Sequence, residues 1–432
     1  MNVTGIIAEY NPFHLGHAYH LAEARRLTNA DYLIVIMSGD FVQRGEPAIF
    51  NKYVRTQMAL MDGADLVLEL PVPFATASSE DFAGGAVAIL DKLGVINHLS
   101  FGSEAGCLSD LLSVAELLEN ESAETSELIR LGLKDGLSYP AAVSKALLSA
   151  PQGSSFSQKT TGTDENSSAL SAILSTPNNL LGVEYCRALK HRSSSIQPVT
   201  IKRLGDYHGA DISASSGEQV GFPSASALRK VFMAHDMAET AEMIRASVPE
   251  NTLSLMKKEV GYSGPLFADD FTDALFYRLL NETGDCLCKH MDVTPDLAGR
   301  IMNLMSSCRT YTELAETVKC RSYTRLRINR ALLHTLLGIT DKAMSAFKAN
   351  DYANYARVLG FKDSAKPLLR EISEHASIPL LLRMKEDRER LSATDLTLLR
   401  MNDFASDLYR MTAQRKYGNV LADEYSRRLL RL

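Results

Sequence analysis

No stretch of the chain approaches the roughly 18 to 20 consecutive apolar residues that a membrane helix needs, so a membrane-spanning protein is not expected. The N-terminus runs straight into an apolar strand without a basic, signal-like leader, and the expectation is a cytoplasmic protein. The six cysteines, Cys107, Cys186, Cys286, Cys288, Cys308 and Cys320, include no Cys-x-x-Cys pair. Cys286, Cys288 and His290 lie close together, but at a spacing poor for structural zinc. Free, reduced thiols are therefore expected, and no metal site is assigned. No internal repeat is found.

What is there is the composition of an ordinary globular protein, 45% hydrophobic and 23% charged over 432 residues, enough for two or three domains. The net charge of -6 hides an asymmetry. Residues 321–432 hold 21 Lys and Arg against 13 Asp and Glu, leaving 25 against 39 for residues 1–320. An RNA surface is expected in the basic C-terminal part and not in the acidic remainder.

The stretch from Ile6 to His17 reads as a buried strand that turns at Asn11-Pro12 into a helix, with His-x-Gly-His on the first helical turn. His14 and His17 are three apart and share one helix face, where backbone N–H groups are unpaired and the helix dipole is positive. That arrangement is an anion site, and Gly16 between them lets a bulky ligand such as a nucleotide approach the backbone.

Apolar strand-length runs follow at Asp31–Met37, Ala64–Leu70 and Val95–Phe101, separated by helical stretches at Lys52–Met61 and Ser79–Leu93. Strands alternating with helices predict an α/β fold with a doubly wound parallel sheet, whose ligands bind beyond the carboxyl ends of the strands. The candidate site is therefore His14 and His17, Asp40 with Arg44 in the loop after strand two, and Gly102 after strand four. A short strand at Pro198–Ile201 delivers Lys202 and Arg203 to the same edge, where they suit phosphate. Residues 108–149 read as helical with a start at Pro140, and residues 151–168 and 206–221 as Gly/Ser-rich loops, the first able to order over a ligand. Ser224 and Ser226 precede a helix, either as caps or as hydroxyls that hold a triphosphate together with Arg229. Beyond residue 250 the periodicity is mainly helical, and Tyr352–Phe361 with Ile378–Leu382 suggests a compact mixed region. Arg321, Arg325, Arg327 and Arg330 around Tyr323 suit RNA phosphates with base stacking, or equally an amphipathic helix.

Taken together, Gly5 through His17, Ser38-Gly39-Asp40-Phe41-Val42-Gln43-Arg44-Gly45-Glu46-Pro47-Ala48, and Phe101-Gly102-Ser103-Glu104 resemble the bacterial tRNA(Met) cytidine acetate ligase family of the nucleotidyltransferase superfamily. The resemblance spans the chain. It implies a Rossmann-like, HUP-type nucleotidyltransferase domain over residues 1–250, followed by a mainly helical, basic, tRNA-binding domain over residues 251–432. It also implies an enzyme that activates acetate with ATP, with Mg2+ accompanying it, and acetylates N4 of the wobble cytidine of elongator tRNA(Met); no protein partner is evident. ATP would lie along Ile7-Ala8-Glu9-Tyr10-Asn11-Pro12-Phe13-His14-Leu15-Gly16-His17-Ala18-Tyr19-His20 and against Gly102, Asn178 or Asn179, and Arg203. The superfamily's second motif, usually Ile-Ser-Ser/Thr, reads Pro223-Ser224-Ala225-Ser226 here, one hydroxyl fewer. In the mechanism this suggests, His14 and His17 donate to phosphate oxygens and Asp40 accepts or orients a proton. A small-molecule adenylyltransferase without RNA is the main alternative, and an RNA-binding scaffold with a vestigial nucleotide site is the third.

Overall fold

In the computed structural model, which describes residues 1–119, 123–134, 137, 142–143, 145–146, 173–203 and 223–432, the apolar runs lie side by side in one sheet. The strands are β1 (Val3–Ala8), β2 (Tyr32–Ser38), β3 (Leu66–Leu70), β4 (His98–Ser103), β5 (Gln197–Lys202), β6 (Ala356–Phe361), β7 (Leu380–Leu381) and β8 (Leu430–Arg431). Their order is β8-β6-β3-β2-β1-β4-β5, with β7 beside β6. The strands from β3 to β5 are mutually parallel, and β6 runs antiparallel to β3.

Both faces of the sheet are covered, which is why β2 is apolar throughout instead of alternating. Leu33, Val35 and Met37 pack on one side with Leu21 and Ala24 of α1 (Leu15–Thr28) and Val54 and Met58 of α2 (Lys52–Met61). Ile34 and Ile36 point the other way, toward Val87 and Leu90 of α3 (Ser79–Lys92). Beyond β4 come α4 (Leu108–Glu119), α5 (Pro177–His191) and, after β5, α6 (Ala225–Ala234). The chain after residue 250 is mainly helical and includes α7 (Arg325–Leu337) and α8 (Ala393–Tyr417). It also returns β6, β7 and β8 to the sheet, so the sheet crosses the boundary expected at residue 250. Pro140 and residues 151–168 and 206–221 lie outside the described residues. No described helix is long and apolar enough to cross a membrane.

Strand β1 ends two residues earlier than its apolar pattern suggests. The guanidinium of Arg55, fully buried on α2, donates to Glu9 O (2.6 Å), Ser38 O (3.0 Å), Gly39 O and Phe50 O (2.9 Å). The carboxyl ends of β1 and β2 are thereby tied together at the point where the site begins.

The polar loop after β2 is a small hairpin, Phe41–Val42 against Glu46–Pro47, packed on α7. Its turn residue Gly45 has φ 73°, and a β-carbon there would lie 2.4 Å from Arg330 N and 2.5 Å from Asn329 C. Backbone atoms cannot swing aside, and the left-handed conformation already favours glycine. Gly45→Ala is expected to destabilise the protein by about 3 kcal/mol, read from the denaturant midpoint; an unchanged midpoint would mean that the hairpin does not dock on α7.

Candidate nucleotide site

The chain leaves β1 through Tyr10, held at φ 49°, and enters α1 with His14 as its N-cap. No Ser, Thr, Asp or Asn caps this helix; the two imidazoles do it instead. Gly16 N donates to His14 Nδ1 (3.0 Å), and His14 N donates to His17 Nδ1 (3.3 Å). Each ring therefore uses Nδ1 as an acceptor, which requires the neutral tautomer protonated on Nε2. The rings stack at 3.7 Å between centroids, and Tyr10 and Phe13 pack against His17 from the side.

Burial first, and then the charge of Arg203, push the His14 imidazole down to about 3 and His20 to about 4. Burial, His14, Arg203 and His20 hold His17 well below the usual imidazole range. All three rings are neutral at pH 7. The expected NMR result is that His14 and His17 keep the Nε2–H tautomer from pH 5.5 to 8, with no nitrogen-shift inflection near the ordinary value of about 6.5. A titration of either ring in that window would contradict this assignment.

The stacked histidines face a cavity of about 500 Å³ at the carboxyl ends of β1, β4 and β5, a volume suited to a nucleotide-sized ligand. Of the expected stretch, Ile7, Ala8, Glu9, Tyr10, Asn11, His14, Gly16, His17, Tyr19 and His20 line it. Pro12, Phe13, Leu15 and Ala18 do not; Phe13 is buried behind the histidines. Gly102 lies on the floor, where a β-carbon would come within 3.4 Å of Arg203 Cγ. Phe101 and Tyr185, with ring centroids 5.5 Å apart, give an aromatic wall.

Asn178 and Asn179, inseparable by sequence, are separated by geometry. Asn178 lines the cavity beside Glu104, to which its amide donates (2.5 Å). The Asn179 side chain is buried and its Oδ1 accepts from Ala105 N (3.0 Å), so it fastens the loop after β4. Ser224 caps α6 by accepting from Ala227 N (3.2 Å). Ser226 accepts from Arg229, whose other guanidinium nitrogen donates to Asn11 O (2.8 Å). The second motif is thus tied to the first turn across the cavity, and burial lowers the Arg229 pKa.

The structure places Asp40 away from the cavity lining. Its carboxylate is buried and accepts from Lys52 N (2.8 Å), the first N–H of α2, while Asn51 caps Tyr53 and Val54 (3.0 Å each). Sequence placed Asp40 after the expected strand, and its Oδ1 is taken by the first N–H of α2. Lys230 also lines the cavity and was missed, although its position next to Arg229 was a legible signal. Arg44, Lys202, Arg203, Arg229 and Lys230 give the cavity five cations, against Glu9 as the one carboxylate among its described lining residues.

The arginines after residue 320 lie apart from that lining. Arg330 pairs with Asp292 (2.8 Å), Arg325 pairs with Glu316 and bonds Asn329, and Arg327 stacks over Tyr323 at 5.4 Å, while Arg321 is exposed. All six cysteines are free, and the one described group of three metal-capable side chains, Glu371, Glu374 and His375, lies outside the cavity.

The profile of the HIGH nucleotidyl transferase family matches residues 1–423. Two curated relatives, both called tRNA(Met) cytidine acetate ligase, are similar over the full length of both chains: one from Acetivibrio thermocellus at 36% identity and one from Thermoanaerobacter sp. at 38%. Among solved structures, Thermotoga maritima TmcAL bound with alpha-thio ATP superposes with a TM-score of 0.86 at 31% identity, covering 100% of each chain. Its apo form superposes at 0.88. With the parallel sheet, the His-x-Gly-His helix cap and this whole-length similarity, the chain belongs to the HIGH nucleotidyl transferase family and, within it, to the tRNA(Met) cytidine acetate ligases.

Proposed function

We propose that the protein activates acetate with ATP and acetylates N4 of the wobble cytidine in the anticodon of elongator tRNA(Met), in the cytoplasm. The observation that carries this reading is the neutral His14–His17 pair, both Nε2–H groups unused by the helix cap, inside a cation-lined cavity. The whole-length relatives named for this reaction support it.

In the first step an acetate oxygen attacks the α-phosphorus and the bond to the bridging oxygen breaks, giving acetyl-adenylate and pyrophosphate. Acetate is a weak nucleophile, so the rate depends on in-line placement and on stabilising the charge that moves to the leaving group. His14 and His17 donate from Nε2 to phosphate oxygens; Arg203 and Arg229 neutralise the departing end. The adenosine lies against Gly102 and the Phe101–Tyr185 wall, and Asn178 is the asparagine that reaches it. Mg2+ would accompany ATP and would supply charge neutralisation during the transfer. Glu9, the one carboxylate among the described lining residues, accepts from Gln43 N (2.9 Å) and is the group that would face the ion.

In the second step the cytidine N4 attacks the acetyl carbonyl carbon, AMP leaves, and the amine loses a proton. The base must be taken out of the anticodon stack to reach the anhydride. Residues 251–432 would carry the RNA, with Arg321 and Arg327 available to phosphates and Arg325 and Arg330 setting the helix that presents them.

Acetate-dependent exchange of labelled pyrophosphate into ATP tests the first step. Exchange that requires acetate is the expected result. Exchange that ignores acetate but responds to a cofactor precursor would support the small-molecule adenylyltransferase reading.

A further inference from the structure

A second cavity, of about 670 Å³, shares no lining residue with the nucleotide site. It is an open cleft lined by Tyr53 of α2, strand β6, the turn at residues 382–386 and the C-terminal segment 424–431. Because β6 runs antiparallel to β3, with Arg357 opposite Glu69, its first residues lie at the carboxyl ends of the parallel strands. The lining runs along the strand from Arg357, opposite Glu69, to Phe361, opposite Leu66, so its Arg357 end is the one directed toward the edge that holds the nucleotide site. Strand β6 is three strand spacings from β1, about 15 Å.

Its charge is one-sided. Arg357 is neutralised by Glu69 and Glu424, and Arg383 by Glu386 at 2.8 Å. Lys385, Arg427, Arg428 and Arg431 have no carboxylate within ion-pair distance among the described residues. Two of these lie over rings, Arg427 at 4.3 Å from Tyr53 and Arg431 at 5.4 Å from Phe361. The Arg427 Nε is buried and has no hydrogen-bond partner. A donor left without an acceptor in such a place costs free energy unless a ligand supplies one.

Unpaired cations interleaved with aromatic rings suit phosphate oxygens and unstacked bases, which stack on guanidinium planes and on rings alike. We infer that this cavity is a docking site for RNA, holding backbone phosphates and an unstacked base of the substrate on Arg427, Arg428, Arg431 and Lys385. The inference rests on the tRNA reading proposed above. It gives the basic C-terminal sequence Arg427-Arg428-Leu429-Leu430-Arg431 a role in RNA binding beside that of Arg321 and Arg327. The RNA is then gripped on the flank of the sheet while its reactive cytidine enters the nucleotide site.

The test compares the full-length parent with Arg427→Ala/Arg428→Ala/Arg431→Ala and with Lys385→Glu/Arg428→Glu. The second variant leaves the Arg427–Tyr53 stack in place. Expected for both is tRNA binding weakened by at least about tenfold, with acetate-dependent pyrophosphate exchange in the absence of RNA unchanged. In the triple variant, the slope of log affinity against log salt is expected to become shallower by about two to three, as each released phosphate contact removes close to one. Binding and salt slope equal to the parent's, in a parent that does acetylate tRNA, would overturn the inference and leave the proposed function standing. A parent that exchanges pyrophosphate with acetate but neither binds nor acetylates tRNA would remove both.

Discussion

Replacing His17 with alanine is expected to slow acetate-dependent pyrophosphate exchange about 100- to 1,000-fold, the loss seen when one preorganised donor to a developing charge is removed. The magnitude is that large because the ring is neutral and buried, with its Nε2–H committed in advance by the backbone donation to Nδ1. Alanine also takes away the acceptor for His14 N, a capping loss of about 1 kcal/mol that folding measurements register separately. His17→Gln, which keeps an amide donor, is expected to recover part of the rate. A purely structural role would give no such recovery. The double variant His14→Ala/His17→Ala is expected to fall short of the product of the two single losses, since the stacked rings act as one unit. Intact exchange in His17→Ala together with lost RNA binding would show that the histidines serve the RNA and not the adenylate.

The second large effect is expected far from the chemistry. Lys52 of α2 is fully buried, its ammonium 2.7 Å from Glu69 and 2.9 Å from Glu424. Arg357 of β6 contacts the same two carboxylates, and Tyr53 donates to Glu424 (3.0 Å). The two cations share these two carboxylates, with Asp403 as a longer third partner 3.5 Å from Arg357, so Glu424→Ala leaves two buried positive charges on Glu69 and that longer contact. The expected cost is about 3 to 5 kcal/mol of stability, measured by denaturant unfolding, because the excess charge cannot recover its hydration. Burial opposes ionisation of Glu424, but Arg357 and Lys52 overcome it and hold the carboxyl well below the ordinary value of 4.5. With the folded value depressed, the unfolded chain binds more protons at acid pH. The stability Glu424 contributes is complete above about pH 4.5 and falls away below it. Histidines 14, 17 and 20, also depressed, remove stability in the same direction over a higher window, beginning as pH drops below about 6.5. Glu424→Ala is therefore expected to keep the loss between pH 6.5 and 4.5 and to lose part of the steeper decline beneath it.

The strand, turn and helix around His14 were legible because every signal is local: an apolar run, a turn, and imidazoles three residues apart. That the early strands form a parallel sheet was legible for a similar reason, since a strand buried on both faces writes itself as an unbroken apolar run. Strand β6 was not. Ala356–Phe361 carries an arginine in the middle of the sheet, and only its register partner Glu69 with Glu424 explains why that charge is tolerated there. No local pattern joins positions so far apart in sequence. The same limit accounts for Asp40. A carboxylate after Ser-Gly at a strand end has the chemistry of a proton acceptor, and only the fold reveals the helix N-terminus that consumes it. Arg55 escaped notice altogether, because one arginine within a helix gives no hint that it holds the ends of two strands. At Asn178 and Asn179 the sequence named the pair, and the backbone decides which side chain faces the cavity.

The central claim is that the adenylate made in the histidine cavity is spent on RNA. The most direct measurement supplies the purified protein with ATP, labelled acetate and unmodified elongator tRNA(Met), then digests the RNA to nucleosides. The account predicts label in N4-acetylcytidine from the wobble position, dependent on ATP and absent with His17→Ala; acetate-dependent exchange with no label in any nucleoside would contradict it.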